Sequence, residues 1–492
     1  MIEHESVPRF GETGSISAIK QSEKIGFFGK SGGLHEVKHF TLRNRRNRPA
    51  GGFAFFYTRS DDCESLQLFK HELLGESRLC RSPARARRET LRDNGGAEGG
   101  DGSVFAVTTA GRATQFYPFG SDGTNPGGAL TLGGDGNYYG TTTAGGAAGN
   151  GVLFRLSAAG IYTDLHDFAG GSDGAEPIAP PIQASDSNFY GTTVGTVGAS
   201  TVYRYEPNGT FTTIYNFGAA QGQYVVAPLI EGSDGNLYGT AEGGGNASSC
   251  GTIFKLSTAG EMLWTYNFPC GVGGASPFGP LLQASDGNYY GTTFSGGNLL
   301  NCGVVFRLNQ SGAVTVLYAF KNTADGANPE GGLAQGTDGN FYGTTASGGR
   351  NFGGTLFQIS PNGVHKILYY FAAAGKEPRA APIQDTNGTF YGTTYTGGRY
   401  GYGTVYSLNM GLGPFVTFVQ PTGAVGGGAQ ILGQGLTGTT SVTFNGVPAT
   451  SFKVGADTFM TAIVPTGATT GKVVVTTPGG ALTSNVNFRI LQ

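Results

Sequence analysis

The residues able to do chemistry are few, and most stand where an otherwise repeating chain departs from itself: His166, Glu176, Glu242, Glu330, Arg350 and Arg399. A hydrolase or lyase acting on polysaccharide would need such carboxylates, imidazoles and guanidiniums to converge on one channel. The sequence distributes them over different copies of the repeat, so a non-catalytic protein is expected and the carbohydrate-active enzyme is the alternative. His166 replaces the tyrosine found at Tyr215, Tyr266 and Tyr318, and His365 stands near a turn. Neither has a Cys or His at ligand spacing, so no metal is expected. Arg350 and Arg399 each follow Gly-Gly at the same point of consecutive copies. That places them on one face of adjacent units, where they would grip an anionic ligand or simply be solvated. No Gly-rich stretch ends in Lys-Ser/Thr before a helix, so none is a phosphate cradle and no cofactor is expected.

Cysteines give the sharpest local inference. Cys250 and Cys270 each lie ten residues from Gly260, which reads as the turn between two strands, so hairpin pairing brings them together. A disulfide there favours an oxidising compartment. Cys302 occupies the position of Cys250, but its partner position is Asn322, which predicts a free thiol. Trp264 aligns with Val316 and reads as a packed strand residue.

The elements that must position these residues come from the repeat. Tyr-Gly-Thr recurs at Tyr139, Tyr190, Tyr238, Tyr290, Tyr342 and Tyr391, with spacings of 51, 48, 52, 52 and 49. Four residues before each tyrosine stands Asp135, Asp186, Asp234, Asp286 or Asp338, with Asn387 in the last copy. An Asp-Gly-Asn turn is hairpin chemistry and lacks the spaced oxygens of a calcium loop. A second signature, Gly followed by an alternating run, begins near residues 102, 151, 200, 251, 303, 354 and 403. The copy from Pro280 to Phe320 reads as four antiparallel strands: Leu281 to Ala284, Tyr289 to Thr293, a third from Gly303, and Ala313 to Phe320. Four strands per repeat of this length is the blade of a β-propeller, with a superhelical solenoid as the alternative. The recurrent tyrosines are what packing between blades requires, although tyrosine also stacks on sugars.

Composition agrees with an all-β chain. Glycine supplies 88 of 492 residues, and charged residues only 13%, about half the globular norm of ~25%. No run of 18 apolar residues occurs, and a net charge of −2 gives no nucleic-acid signature.

The repeated elements Ala284 to Thr293, Gly303 to Leu308 and Leu317 to Phe320 resemble the GloVer tandem-repeat family of bacterial surface proteins. The resemblance implies an exported, extracellular or cell-surface repeat protein with no established activity, and it brings no catalytic residues with it.

The chain divides into three. Residues 1–100 hold 17 of the 31 Lys and Arg but only 13 glycines. They include Arg43, Arg45, Arg46 and Arg48, a basic run with no fold evident to present it to nucleic acid. No apolar segment follows a basic start, so no signal peptide is visible. Gly95-Gly96 and Gly102 to Phe105 match the middle of a repeat, yet no Tyr-Gly-Thr precedes them. Allowed codons for Cys80 to Asn94, shifted by one nucleotide, can spell an Asp-Gly turn followed by Tyr-Gly-Thr-Thr. Residues 1–94 are therefore read as out-of-frame or disordered, and Cys63, Cys80, His35, His39 and His71 as meaningless for metal binding. Residues 95–410 are read as a propeller of about seven four-stranded blades, the first incomplete, with six as the runner-up count.

From residue 411 the pattern changes to short alternating strands. Gly435 to Gly446, Val464-Pro465 and Gly471 to Val475 resemble an IPT/TIG domain, implying an immunoglobulin-like sandwich over 411–492. The expected function is a monomeric structural or binding scaffold for an unidentified glycan or protein.

Overall fold

The computed structural model describes residues 102–107, 113–120, 122–195, 200–322, 324–398, 401 and 403–491, together with strands Ile19–Lys20, Val37–Thr41, Tyr57–Arg59 and Leu66–Leu68. The reading of residues 1–94 as out-of-frame or disordered otherwise lies outside the described residues. The fold is all-β and propeller-like. Among the described residues the helical elements are two three-residue 3-10 turns, Gly171–Asp173 and Gly271–Gly273, and no helix is long and apolar enough to cross a membrane.

The repeat unit is an antiparallel sheet of four strands in sequence order. In the copy read above they are Leu282–Gln283, Tyr289–Thr293, Val304–Leu308 and Val314–Ala319. Equivalent sheets begin at Thr131, Ile182, Ile230 and Ala334. Among the described residues the earliest copy is the pair Ser103–Val107 and Ala113–Pro118, matching third and fourth strands. The last, Ile383–Gln384, Phe390–Thr394 and Thr404–Leu408, takes Val37–Thr41 beside its third strand, where other copies place their own fourth. The first strand is shorter than expected, two residues rather than four. Its approach segment is committed elsewhere: Gly279 lies backbone against Gly331, where an added Cβ would sit 2.6 Å from the neighbouring chain.

Each residue of Tyr-Gly-Thr has a separate task. The tyrosine hydroxyl donates to the turn aspartate, as in Tyr290 to Asp286 at 2.7 Å and Tyr139 to Asp135 at 2.9 Å. Glycine is required because the strand beside it turns an aromatic ring onto its Cα: a Cβ on Gly291 would stand 2.6 Å from Phe306. Threonine reaches the next sheet, its hydroxyl donating to a backbone carbonyl, Thr292 to Gly331 at 2.7 Å and Thr344 to Ala380 at 2.9 Å. The aromatic before the tyrosine completes a chain of stacks, with Tyr139 on Phe189 at 3.9 Å and Tyr290 on Phe341 at 4.1 Å. Farther out, the phenylalanine after each fourth strand inserts against the next third strand, Phe268 on Phe306 and Phe320 on Phe357. The cores are thus shared between sheets, because a single sheet cannot bury both of its faces.

Residues from Phe415 on form two further four-stranded antiparallel sheets. One orders Thr417–Phe418, Gly428–Leu432, Phe459–Ile463 and Phe452–Ala456; the other orders Val447–Pro448, Ser441–Phe444, Val473–Thr477 and Gly480–Thr483. A single apolar cluster, including Ile431, Val442, Phe444, Met460, Val473 and Phe488, lies between them.

Gly291→Ala is expected to cost roughly 1–3 kcal/mol by overpacking. Urea denaturation checks this, and an unchanged midpoint would contradict the close approach of Phe306.

Candidate functional site

The variable residues of the repeat gather on the connections from the fourth strand of one sheet to the first strand of the next. Each described connection carries a non-glycine residue in the left-handed region at the same place: Asn125, Glu176, Tyr224, Ser276, Asn328 and Glu377, with φ between 54° and 58°. This region is sparsely populated by such residues and costs of order 1 kcal/mol or more each. Backbone bonds hold it in place. The N–H of Glu176 donates to Asn150, that of Asn328 to Cys302 and that of Glu377 to Gly353, all at 2.9 Å and all into the preceding sheet's loop. Two residues further on come Gly127, Ile178, Val226, Phe278, Glu330 and Arg379, a position that differs in all six copies.

This ring has two sectors. Ile178, Val194, Val226 and Ala227 form one buried apolar cluster with Tyr224 and Phe278 packed against it, uniting three consecutive copies. In the following copies charge takes over. The Arg379 guanidinium lies 3.6 Å from Glu330 and 3.1 Å from Glu377, and 4.0 Å from the ring centre of Tyr395. Arg379 and Glu330 are largely buried, with 13% and 15% of their side chains exposed, whereas Tyr395 is 39% exposed. A cation held over an aromatic face between two carboxylates is a polar platform.

Glu176, Glu242 and Glu330 all belong to this end of the wheel, at three different repeat positions, although the sequence reading separated them. They do not form a metal centre: among the described residues no three His, Cys, Asp or Glu side chains come together as a metal-binding group. Sequence reasoning missed Arg379, Glu377 and Tyr395. The available signal was the position after the connection's proline, which runs through Gly, Ile, Phe, Glu and Arg, with Val226 following Val225 in one copy.

The other candidates have structural roles. His166 contacts Asp173 at 3.1 Å and stacks on Phe211 at 3.5 Å, and His365 stacks on Tyr318 at 4.0 Å. Both are halves of one aromatic joint between fourth strands, which Tyr117 and Tyr162 also make at 5.1 Å. Burial holds His365 down to about 4, neighbouring Asp325 opposing and Lys321 adding to the shift. Trp264 meets Tyr238 edge-on at 6.2 Å. Arg350 is exposed over the ring of Tyr370 at 5.2 Å, and Arg399 lies outside the described residues, so the two are not seen together. Cys250 and Cys270 are joined in a disulfide with Cα atoms 5.5 Å apart, and Cys302 is a buried free thiol. The recurrent aspartates are turn hubs: burial opposes ionisation of Asp234, but hydrogen bonds from Lys255, Asn236 and Tyr238 outweigh it and hold it near 2. In the last copy the acid stands two places earlier in the chain. Asp385 stands where Ala184 and Ala284 stand elsewhere, is 2% exposed, and is pushed up to about 7 by burial.

Fold and site together define an all-β, propeller-like repeat protein whose variable residues cluster on one end of the wheel. The chain belongs to the Gloeobacter/Verrucomicrobia repeat family, which matches residues 91–232 and 163–337, together half of its length. Solved structures similar to it include a periplasmic gluconolactonase of Pseudomonas aeruginosa, 16% identical over 63% of this chain and 92% of that one, with a TM-score of 0.42. They also include a luciferin-regenerating enzyme, 12% identical over 60% and 94% of the two chains at 0.38, and a putative gluconolactonase, 13% identical over 58% and 87% at 0.36. No curated protein matches the chain.

His365→Phe supplies the residue type found at Phe211. The native histidine's pKa lies below its unfolded value of ~6.5, so its full contribution is present above that pH and lost as pH falls toward 4. The variant is expected to match the parent at pH 8 and exceed it by roughly 1–3 kcal/mol near pH 4.5, measured by urea denaturation. Equal pH dependence of the two proteins would contradict this.

Proposed function

We propose that the chain is a non-catalytic binding scaffold of the cell exterior. Its repeats form a propeller of about seven blades, the first lacking its two inner strands, and residues 411–492 form an immunoglobulin-like domain of IPT/TIG type. The disulfide between Cys250 and Cys270 supports an oxidising compartment.

The observation that carries the reading is the contrast between skeleton and ring. Turn, stack and threonine bond recur in most copies, while the position holding Glu330 and Arg379 passes from glycine through apolar Ile178, Val226 and Phe278 to opposite charges. Variation carried on a rigid frame is what a binding surface requires. The ligand class that suits a platform of Arg379 on exposed Tyr395, beside an apolar sector, is a glycan or a polar protein loop. Aromatic faces take apolar sugar faces, and the ion pairs fix polar groups around them. Paired Glu330 and Glu377 favour binding over acid–base catalysis, because their charges already have a partner. The competing polysaccharide hydrolase or lyase draws on Glu176 and Glu242 at the same end.

Calorimetry of the full chain against a panel of bacterial surface polysaccharides, with product analysis of each mixture, tests the proposal. Binding without depolymerisation is expected, and Tyr395→Ala should weaken it tenfold or more. Chain shortening of the polysaccharide would establish the enzyme reading. Full-strength binding by Tyr395→Ala would move the site elsewhere.

A further inference from the structure

At the opposite end of the wheel, the turns between first and second strands form a near-symmetric ring. The second residue of the first strand reaches back to a backbone N–H of the preceding turn. Gln183 accepts from Gly134 at 2.8 Å, Gln283 from Ser233 and Gln335 from Ser285 at 2.9 Å, and Gln384 from Thr337 at 3.0 Å. Two copies depart from glutamine: Leu132, which cannot accept, and Glu231, which accepts from Ser185 N–H at 2.8 Å and so makes the same latch. Glutamine would serve that latch equally well, so the negative charge has another purpose.

The C-terminal sheets supply it. Arg489 donates to the Glu231 carboxylate at 2.7 Å, to Ser185 Oγ at 2.6 Å and to the Gly232 carbonyl at 2.8 Å. The pair is largely enclosed, with 16% of the Arg489 and 12% of the Glu231 side chain exposed. Neutral contacts surround it. Gln420 donates to Gln183 at 2.5 Å, Gln430 to the Gly134 carbonyl at 3.1 Å and Gln434 to Thr386 at 3.2 Å. The C-terminal domain thus straddles the turns of four copies. Its neutral donors would find similar carbonyls and amides on any neighbouring copy, because the turns repeat. The carboxylate at 231 is the one acid in this column of first-strand residues, and so gives its seat a charge that the others lack.

We infer that Glu231 is the docking socket for Arg489 that fixes the C-terminal domain in one rotational register over the turn end of the wheel. A buried pair of this kind selects among near-equivalent arrangements, even where it adds little net stability. It also leaves the opposite, variable end as the face turned to partners. The inference rests on the two domains' contacts and stands whether or not that face binds a glycan.

The test is the distance distribution between spin labels carried on unnatural amino acids at Asn362 and Ala481, both exposed. Glu231→Gln restores the residue of the other copies and keeps the latch to Ser185, so the wheel should retain its circular dichroism and unfolding midpoint. The parent should give one narrow distance. Glu231→Gln and Arg489→Gln should each broaden it at least twofold, and the double variant should broaden it no further than either alone. A distribution that stays narrow in both single variants, or broadening that adds in the double, would overturn the assignment.

Discussion

The structure depends on one constraint: in the described repeat sheets that have one, the first strand is two residues long and makes too few ladder bonds to hold its own place. Its position is set from outside. A threonine of the preceding sheet donates to the carbonyl just before it, and its own Gln or Glu accepts from the preceding turn. Hydrogen bonds in opposite directions therefore lock most of these sheets to their neighbours, the exceptions being the Thr192 hydroxyl, which finds no acceptor, and Leu132, which cannot accept. The rest follows from keeping that seam tight. Glycine precedes the threonine so that the strands can approach, and Gly279 faces Gly331 because no side chain fits between the chains. The strained left-handed residues persist because their N–H groups are spent on the previous sheet's loop.

A wheel built this way is nearly symmetric, and symmetry is a poor recognition surface. The chain breaks it at both ends by single substitutions within columns that otherwise repeat. At one end, replacement of apolar residues by Glu330 and Arg379 creates a charged platform. At the other, glutamate in a glutamine column receives Arg489. Neither change disturbs the seam, which is why both are tolerated.

Much of this was legible in the sequence. The spacing of Tyr-Gly-Thr located the second strands, and the glycine-led runs located the third, each beginning one residue after its glycine, as at Gly303 and Val304. The Asp-Gly-Asn turns and the meeting of Cys250 with Cys270 follow from hairpin geometry, which is local. What escaped was non-local. The glutamine latch joins residues some 50 positions apart, and nothing in a single copy marks it. Glu231 went unnoticed because glutamate and glutamine look equivalent on a solvated strand, and their difference appears only when Arg489 arrives from 258 residues away. His166 and His365 drew notice as rare residues, yet each serves as one ring of a stack, and the consequence at His365 is a pH-dependent stability rather than catalysis. Arg350 stood out for a similar reason, although an exposed loop arginine over Tyr370 is a surface contact.

The central claim is that cross-sheet latches hold otherwise exposed turns. Native-state hydrogen exchange at the amides of Gly134, Ser185, Ser233, Ser285 and Thr337 tests it most directly, because each donates to a side chain of the next sheet. The account predicts slow exchange at all five, opening only with the strands of the wheel. Exchange at the rate of an unstructured peptide at these turns would contradict it, since the turns would then be held by no latch.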